Sequence, residues 1–334
     1  ENSAYKKTLN PIDMTRVPGG SSGGSAAVVA YGGVPVSLGS DTGGSIRQPA
    51  SFTGTVGLKP TYGSVSRYGL IAMGSSLDVI GSFTNSVEDA KIIFQTISGK
   101  DVKDATTINE IEKKAFRKKV GVPQMFVNQD GVDAEVKENF NKTIDFLKSA
   151  GYEIVPVDIK NIEKALAVYY ILMPAEVSSN LARFEGVRYG KHVSADTPAA
   201  SMMQSRGAGL GEEPLRRSLL GAYVLSSGYY DAYYYKAVSV RNLLKQEFEK
   251  AFKDIDIILT PTSPVLPWKF GDKHDPLSMY LADIFTVPAN IVGVPGISVP
   301  TGRSKEGLPF GVQALASWGQ EDHLFTIASD IEGL

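Results

Sequence analysis

GGSSGGSA at residues 19–26 and LGSDTGGSIRQPASFTGTVGLKPTYG at residues 38–63 are the stretches on which the reading of this chain turns. Gly or Ser fills seven of the eight positions of the first, the composition of a flexible linker. Yet it runs directly into SAAVVAY (25–31), an Ala-rich segment suited to a buried helix that Gly32 and Gly33 would stop. Residues 35–38 then read as a short buried strand, so one helix and one strand separate Ser21 from Ser45. A path out through a helix and back through a strand returns both runs to one edge of the fold. The glycines at 19, 20, 23, 24, 43 and 44 permit tight turns and close backbone approach. Successive amides in such turns form an anion-binding nest. A nest beside a serine is the pairing acyl transfer requires: a nucleophile next to donors for the developing oxyanion.

Other readings fit less well. A phosphate-binding P-loop needs a lysine after its last glycine, and Ser25 follows Gly24. GAGLG (207–211) fails the dinucleotide pattern because position 212 is Glu. A plain linker would have no reason to precede a helix with a matching run downstream. A histidine base could arrive from elsewhere in the fold, but with only His192, His274 and His323 in the chain, all in polar, loop-like contexts, a Ser/Lys arrangement fits better.

Outward from these runs the chain reads as α/β. VGLK (56–59) is a strand, and SVEDAKIIFQTIS (86–98) a helix with a serine cap and early acids. KVGVP (119–123), the stripe Val132, Val136, Phe140, Ile144 and Leu147 closed by Gly151, and YEIVPVDI (152–159) form a strand–helix–strand unit. Residues 161–185 and 213–254 are mainly helical. Strands follow at 256–259, 296–300 and 311–316, with a closing helix at 322–332. KKAFRKK (113–119) reads as a solvated helix face. The expected architecture is one domain of α/β/α layers.

Composition narrows the function. The 334 residues are 43% hydrophobic and 21% charged, with 34 basic against 36 acidic side chains, so autonomous tight binding to nucleic acid is not expected. The absence of cysteine excludes thiolate nucleophiles, disulfides and zinc–thiolate sites, and it suits a cytoplasmic chain. No apolar run is long enough to span a bilayer, and ENSAYKKTLNP resembles neither a signal peptide nor a domain start.

GGSSGGSAA followed by LGSDTGGSIRQPASFTGTVGLKPTYG resembles the amidase signature family. RFEGVRYG (183–190), LSSGYYDAYYYKA (225–237) and MYLADIFTVPANIVGVPGISVPTG (279–302) extend the resemblance over nearly the whole chain. They are similar to one branch, the A subunits of glutamyl-tRNA(Gln) amidotransferases. The resemblance implies a mixed sheet covered by helices on both faces and a Ser–cis-Ser–Lys triad that hydrolyses amides. It implies Ser45 as nucleophile and Ser21, preceded by a cis peptide bond, as proton relay. It further implies an oxyanion hole at the amides of Thr42, Gly43, Gly44 and Ser45. For a glutamine substrate it implies Arg217 on the α-carboxylate, Asp283 on the α-amino group and Tyr169 lining the pocket. In that branch the ammonia passes to an aminoacyl-tRNA held by a partner. Subunits B and C would be the partners, ATP and Mg²⁺ would serve the partner's reaction, and no cofactor would belong to this chain.

The family's lysine lies in a K-D-N-type motif upstream of GGSSGG, and no such motif occurs here; Lys6 and Lys7 lie outside it and Lys59, in GLKPT, suits a structural role. The expectation is a fragment incomplete at its N-terminus, and at its C-terminus too, that is inactive alone. Two rivals remain: a stand-alone amidase for another small amide, and a scaffold that keeps the fold without the lysine. Arg217 and Asp283 facing away from Ser45 would favour the first rival, and a K-D-N motif missing upstream would favour the second.

Overall fold

The computed structural model describes residues 3–109, 111–272, 276–332 and 334. Eight strands, β1 (Val36–Asp41), β2 (Val56–Lys59), β3 (Val79–Thr84), β4 (Lys119–Val122), β5 (Glu153–Pro156), β6 (Ile257–Pro261), β7 (Gly296–Arg303) and β8 (Pro309–Ala316), form one sheet in the order β1-β3-β2-β7-β8-β6-β4-β5. β4 runs parallel to β5 and β6, and every other neighbouring pair is antiparallel.

The helices in chain order are α1 (Gly23–Ala30), α2 (Arg47–Thr53), α3 (Val87–Ile97), α4 (Gln124–Val127), α5 (Ala134–Ser149) and α6 (Ala165–Asn180), then α7 (Pro198–Gly209), α8 (Glu212–Val224), α9 (Lys236–Asp254), α10 (Pro276–Tyr280), α11 (Val287–Val292) and α12 (Glu321–Glu332).

Alternation along the central strands splits the core in two. Ile257 and Leu259 of β6, with Ala314 and Ala316 of β8, join Phe140, Ile144 and Leu147 of α5 and Leu324 and Ile327 of α12. Ile258 and Leu315, one step out of phase, join Leu172 of α6, Leu244 and Phe248 of α9 and Ile291 of α11. A period of two along a strand presents alternate side chains to opposite faces, so helices must cover both. Local signals hold where they were strong. Ser86 Oγ accepts from the Asp89 amide at 3.1 Å and starts α3, and β4–α5–β5 is the parallel unit the stripe predicted.

Three expectations change. β1 is longer than residues 35–38 and is an edge strand with Leu38 51% exposed, because only β3 pairs with it and α1 leaves that side chain open. KKAFRKK is not helical: residues 113–118 are irregular and Lys119 opens β4. The Asp256 carboxylate accepts from the amides of Arg117 (2.7 Å) and Lys119 (3.1 Å) and from Arg117 Nε (2.9 Å), which holds the run extended. β3, α2 and α7 carried no periodic signal long enough to be read.

Candidate active site

Ser21 and Ser45 converge on one edge of the sheet. The Gly20–Ser21 peptide bond is cis. The Ser22 amide donates to the Ser45 carbonyl at 3.1 Å, and the Gly20 amide donates to Gln48 Oε1 at 3.0 Å. Ser22 Oγ donates to the Ser40 carbonyl and accepts from the Ser40 amide, at 3.1 and 3.2 Å, which ties the turn to β1. Ser21 is left exposed and Ser45 half-buried. Gly19 has φ +84°, and a Cβ there would lie 2.7 Å from Pro49 Cα. The linker-like composition therefore serves backbone shape rather than flexibility.

Asp41, at the end of β1, shapes the second run. Its carboxylate accepts from the amides of Gly44 (2.8 Å) and Ile46 (3.1 Å) and from Arg47 Nε and Nη2. Arg47, itself fully buried, also donates to the Thr286 carbonyl, Gln313 Oε1 and Asn290 Oδ1. Burial alone would raise the Asp41 carboxyl, but the charge and hydrogen bonds of Arg47, helped by Lys59 and Asn290, hold it at about 2. Thr42 Oγ1 donates to Asp78 at 2.7 Å, and Thr286 Oγ1 donates to the Gly43 carbonyl at 2.8 Å. Gly44 has φ +134°, and a Cβ there would collide with Thr286 Oγ1. Of the four amides named for an oxyanion hole, that of Gly44 is thus engaged by Asp41. Those of Thr42, Gly43 and Ser45 make no hydrogen bond among the described residues.

The three pocket candidates come together beside this loop. The Tyr169 ring, from α6, packs so closely on Gly43 that a Cβ there would lie 2.6 Å from Cζ. Tyr170 meets Tyr169 edge-on at 4.9 Å and stacks on Tyr280 at 4.0 Å. Arg217, from α8, donates through Nε to Glu213 Oε1 at 2.8 Å, and its Nη1 lies 3.9 Å from the sulfurs of Met73 and Met173. Asp283 ends the turn of residues 281–283 and accepts from Gln48 Nε2 at 3.0 Å. Gln48 therefore links the Gly20–Ser21 turn to Asp283. Burial, reinforced by the Asp41 charge, raises the Asp283 carboxyl to about 7 against the opposing pull of Arg217 and Arg47. Burial likewise raises the Tyr169 phenol.

Among the described residues no histidine joins the site: His192 bonds the Gly186 carbonyl and His323 bonds the Lys114 carbonyl, while His274 lies outside the described residues. Lys59 is fully buried and donates to the carbonyls of Pro60 and Val294, at 3.0 and 2.8 Å. Among the described residues no cluster of His, Asp and Glu could hold a metal ion, and no helix is long and apolar enough to cross a membrane. Sequence reasoning missed Asp41, Arg47, Gln48, Glu213, Tyr280, Thr286 and Asn290. Arg47 and Gln48 lie inside the quoted run, where a charge among small and apolar residues was the available signal.

Serines on tight turns, amides without a protein partner, and Arg217 and Asp283 close beside them fit an amide-cleaving enzyme. The chain belongs to the amidase signature family, matching the Amidase family over residues 1–325. It is 53% identical to the glutamyl-tRNA(Gln) amidotransferase A subunit of Koribacter versatilis (strain Ellin345), over 99% of this chain and 71% of that protein. It is 51% identical to the second such A subunit, numbered 2, of Clostridium acetobutylicum, over 99% and 72%. Among solved structures, the A subunit of the Thermotoga maritima glutamyl-tRNA(Gln) amidotransferase superposes with a TM-score of 0.80 at 43% identity, covering 99% of this chain and 68% of that one. A 6-aminohexanoate cyclic dimer hydrolase superposes equally well, TM-score 0.80, at 25% identity, covering 100% and 71%.

Proposed function

We propose that this chain is the glutaminase subunit of a tRNA-dependent amidotransferase, cleaving the side-chain amide of glutamine and supplying ammonia for the conversion of Glu-tRNA(Gln) to Gln-tRNA(Gln). The observation that carries this is that Arg217 and Asp283 lie near enough for the guanidinium charge to act on the carboxyl, beside Tyr169, which packs on Gly43 of the Ser45 loop. A cation and a carboxylate held together answer the carboxylate and ammonium of a free amino acid. A simple amide would need neither, so the stand-alone rival is the weaker reading.

In this reading Ser45 Oγ attacks the amide carbon, and its proton reaches the leaving nitrogen through Ser21. The carbonyl oxygen takes up negative charge against the free amides of Thr42, Gly43 and Ser45. Ammonia departs, leaving a glutamyl ester on Ser45, and water then cleaves the ester to glutamate. The resemblance assigns the third member of the relay to a lysine in a K-D-N-type motif, which residues 1–334 do not contain. Subunits B and C would complete a heterotrimer in the cytoplasm, where a partner holds the aminoacyl-tRNA and uses ATP and Mg²⁺ to activate it.

The test is glutamine hydrolysis by the full-length chain in its complex. Ser45→Ala should abolish turnover. Arg217→Ala should raise KM for glutamine by about 30-fold to 1,000-fold, the loss of a buried charge-assisted pair. An unchanged KM would overturn the assignment of glutamine.

A further inference from the structure

Arg217 can read a carboxylate only if its guanidinium is held with a free edge toward the substrate, and one residue does that holding. Glu213 lies one helical turn before Arg217 on α8. Its Oε1 accepts from Arg217 Nε at 2.8 Å and from the Tyr280 hydroxyl at 3.1 Å, and its Oε2 accepts from Arg216 Nη1. Its side chain is only 15% exposed. Burial pushes the Glu213 carboxyl upward, but the Arg217 charge and these hydrogen bonds hold it below the usual range, so it is ionised near neutrality.

We infer that Glu213 is a positioning residue for carboxylate recognition: it occupies Arg217 Nε and so restricts an incoming carboxylate to the Nη1/Nη2 edge. A guanidinium offers a carboxylate either its Nε/Nη side or its two-Nη end, and the first is taken. The same Glu213 oxygen holds Tyr280, which stacks on Tyr170 and precedes Asp283 by three residues. The helix bearing Arg217 is thereby fastened to the segment bearing Asp283. Among the described residues Glu213 makes no hydrogen bond to the nucleophile loop; it acts through Arg217.

This inference rests on the glutamine reading, and the test separates the two. Three amides are compared in the full-length chain in its complex: glutamine, glutaramate (which keeps the carboxylate and lacks the ammonium) and butanamide (which lacks both). If wild-type enzyme fails to prefer glutamine over butanamide, the substrate reading fails. If it does prefer glutamine, Glu213→Ala should raise KM for glutamine and glutaramate by about tenfold to hundredfold, the range for one hydrogen bond to a charged group. kcat/KM for butanamide should stay within twofold. Glu213→Gln, which keeps an acceptor for Arg217 Nε, should restore most of the loss. Equal losses on all three substrates would show that Glu213 merely supports the fold, and no loss on any would show that Arg217 orients itself; either overturns the inference.

Discussion

At Asp41 a wholly buried carboxylate stays ionised because Arg47 and two loop amides surround it, and the catalytic loop takes its shape from that charge. Asp41→Asn would leave Arg47 buried without a counter-charge, a defect that costs about 3–5 kcal/mol in unfolding free energy and is read by denaturant titration. Since its folded pKa of about 2 lies below that of an unfolded carboxylate, its stabilisation is complete above the unfolded value and is lost as pH falls toward 2. Asp283 has the opposite sign. Its carboxyl, raised to about 7, is protonated below that pH and would then carry no charge to answer an ammonium group. The ratio of kcat/KM for glutamine to that for butanamide should therefore fall about tenfold per pH unit below 7, with Asp283→Asn flattening the slope. A ratio constant from about pH 5 to 8 would refute that role. The ratio cancels any titration in the shared proton relay.

Helices α6 and α8 set the distance between Tyr169 and Arg217, and they approach closely because α8 has Gly221 where they meet. A Cβ at Gly221 would collide with the Pro174 carbonyl. Gly221→Ala should cost about 1–3 kcal/mol by overpacking and raise KM for glutamine more than it lowers kcat. Thermal unfolding beside steady-state kinetics checks both, and unchanged values would mean that the helices are free to adjust. Such elements show how far the sequence could be read. α3 and α5 were legible because cap and stripe are local. KKAFRKK was misread because Asp256, more than a hundred residues away, decides its backbone. β3 went unread because Gly81 interrupts it, and that glycine answers a distant demand: a Cβ there would strike the Leu58 carbonyl of β2. Glu213 went unread, since its meaning lies in Arg217 and Tyr280.

Across the whole molecule, the α/β layering and the meeting of Ser21 with Ser45 were legible from glycine placement and strand–helix alternation. The support of the loop was not, because Thr286, Asn290 and Gln313 reach Arg47 from the opposite end of the chain. Residues 1–334 contain Ser21 and Ser45 but no K-D-N motif. A polypeptide of these residues alone should hydrolyse no glutamine; robust turnover sensitive to Ser45→Ala would show that another base serves.

The fastening of Arg47 to Gln313 has a consequence for the newborn chain. β2 pairs early with β3 but finds its second neighbour only in β7, and the loop bearing Ser45 finds its last support only in β8. A ribosome must therefore have released the chain through Gln313 before that serine has its working surroundings. Such distant pairings close slowly. Nascent chains arrested near residue 250 should be cut readily by protease around residues 40–60, and chains arrested with residue 334 outside the exit tunnel should resist. Ser45 is translated long before its loop is held in place.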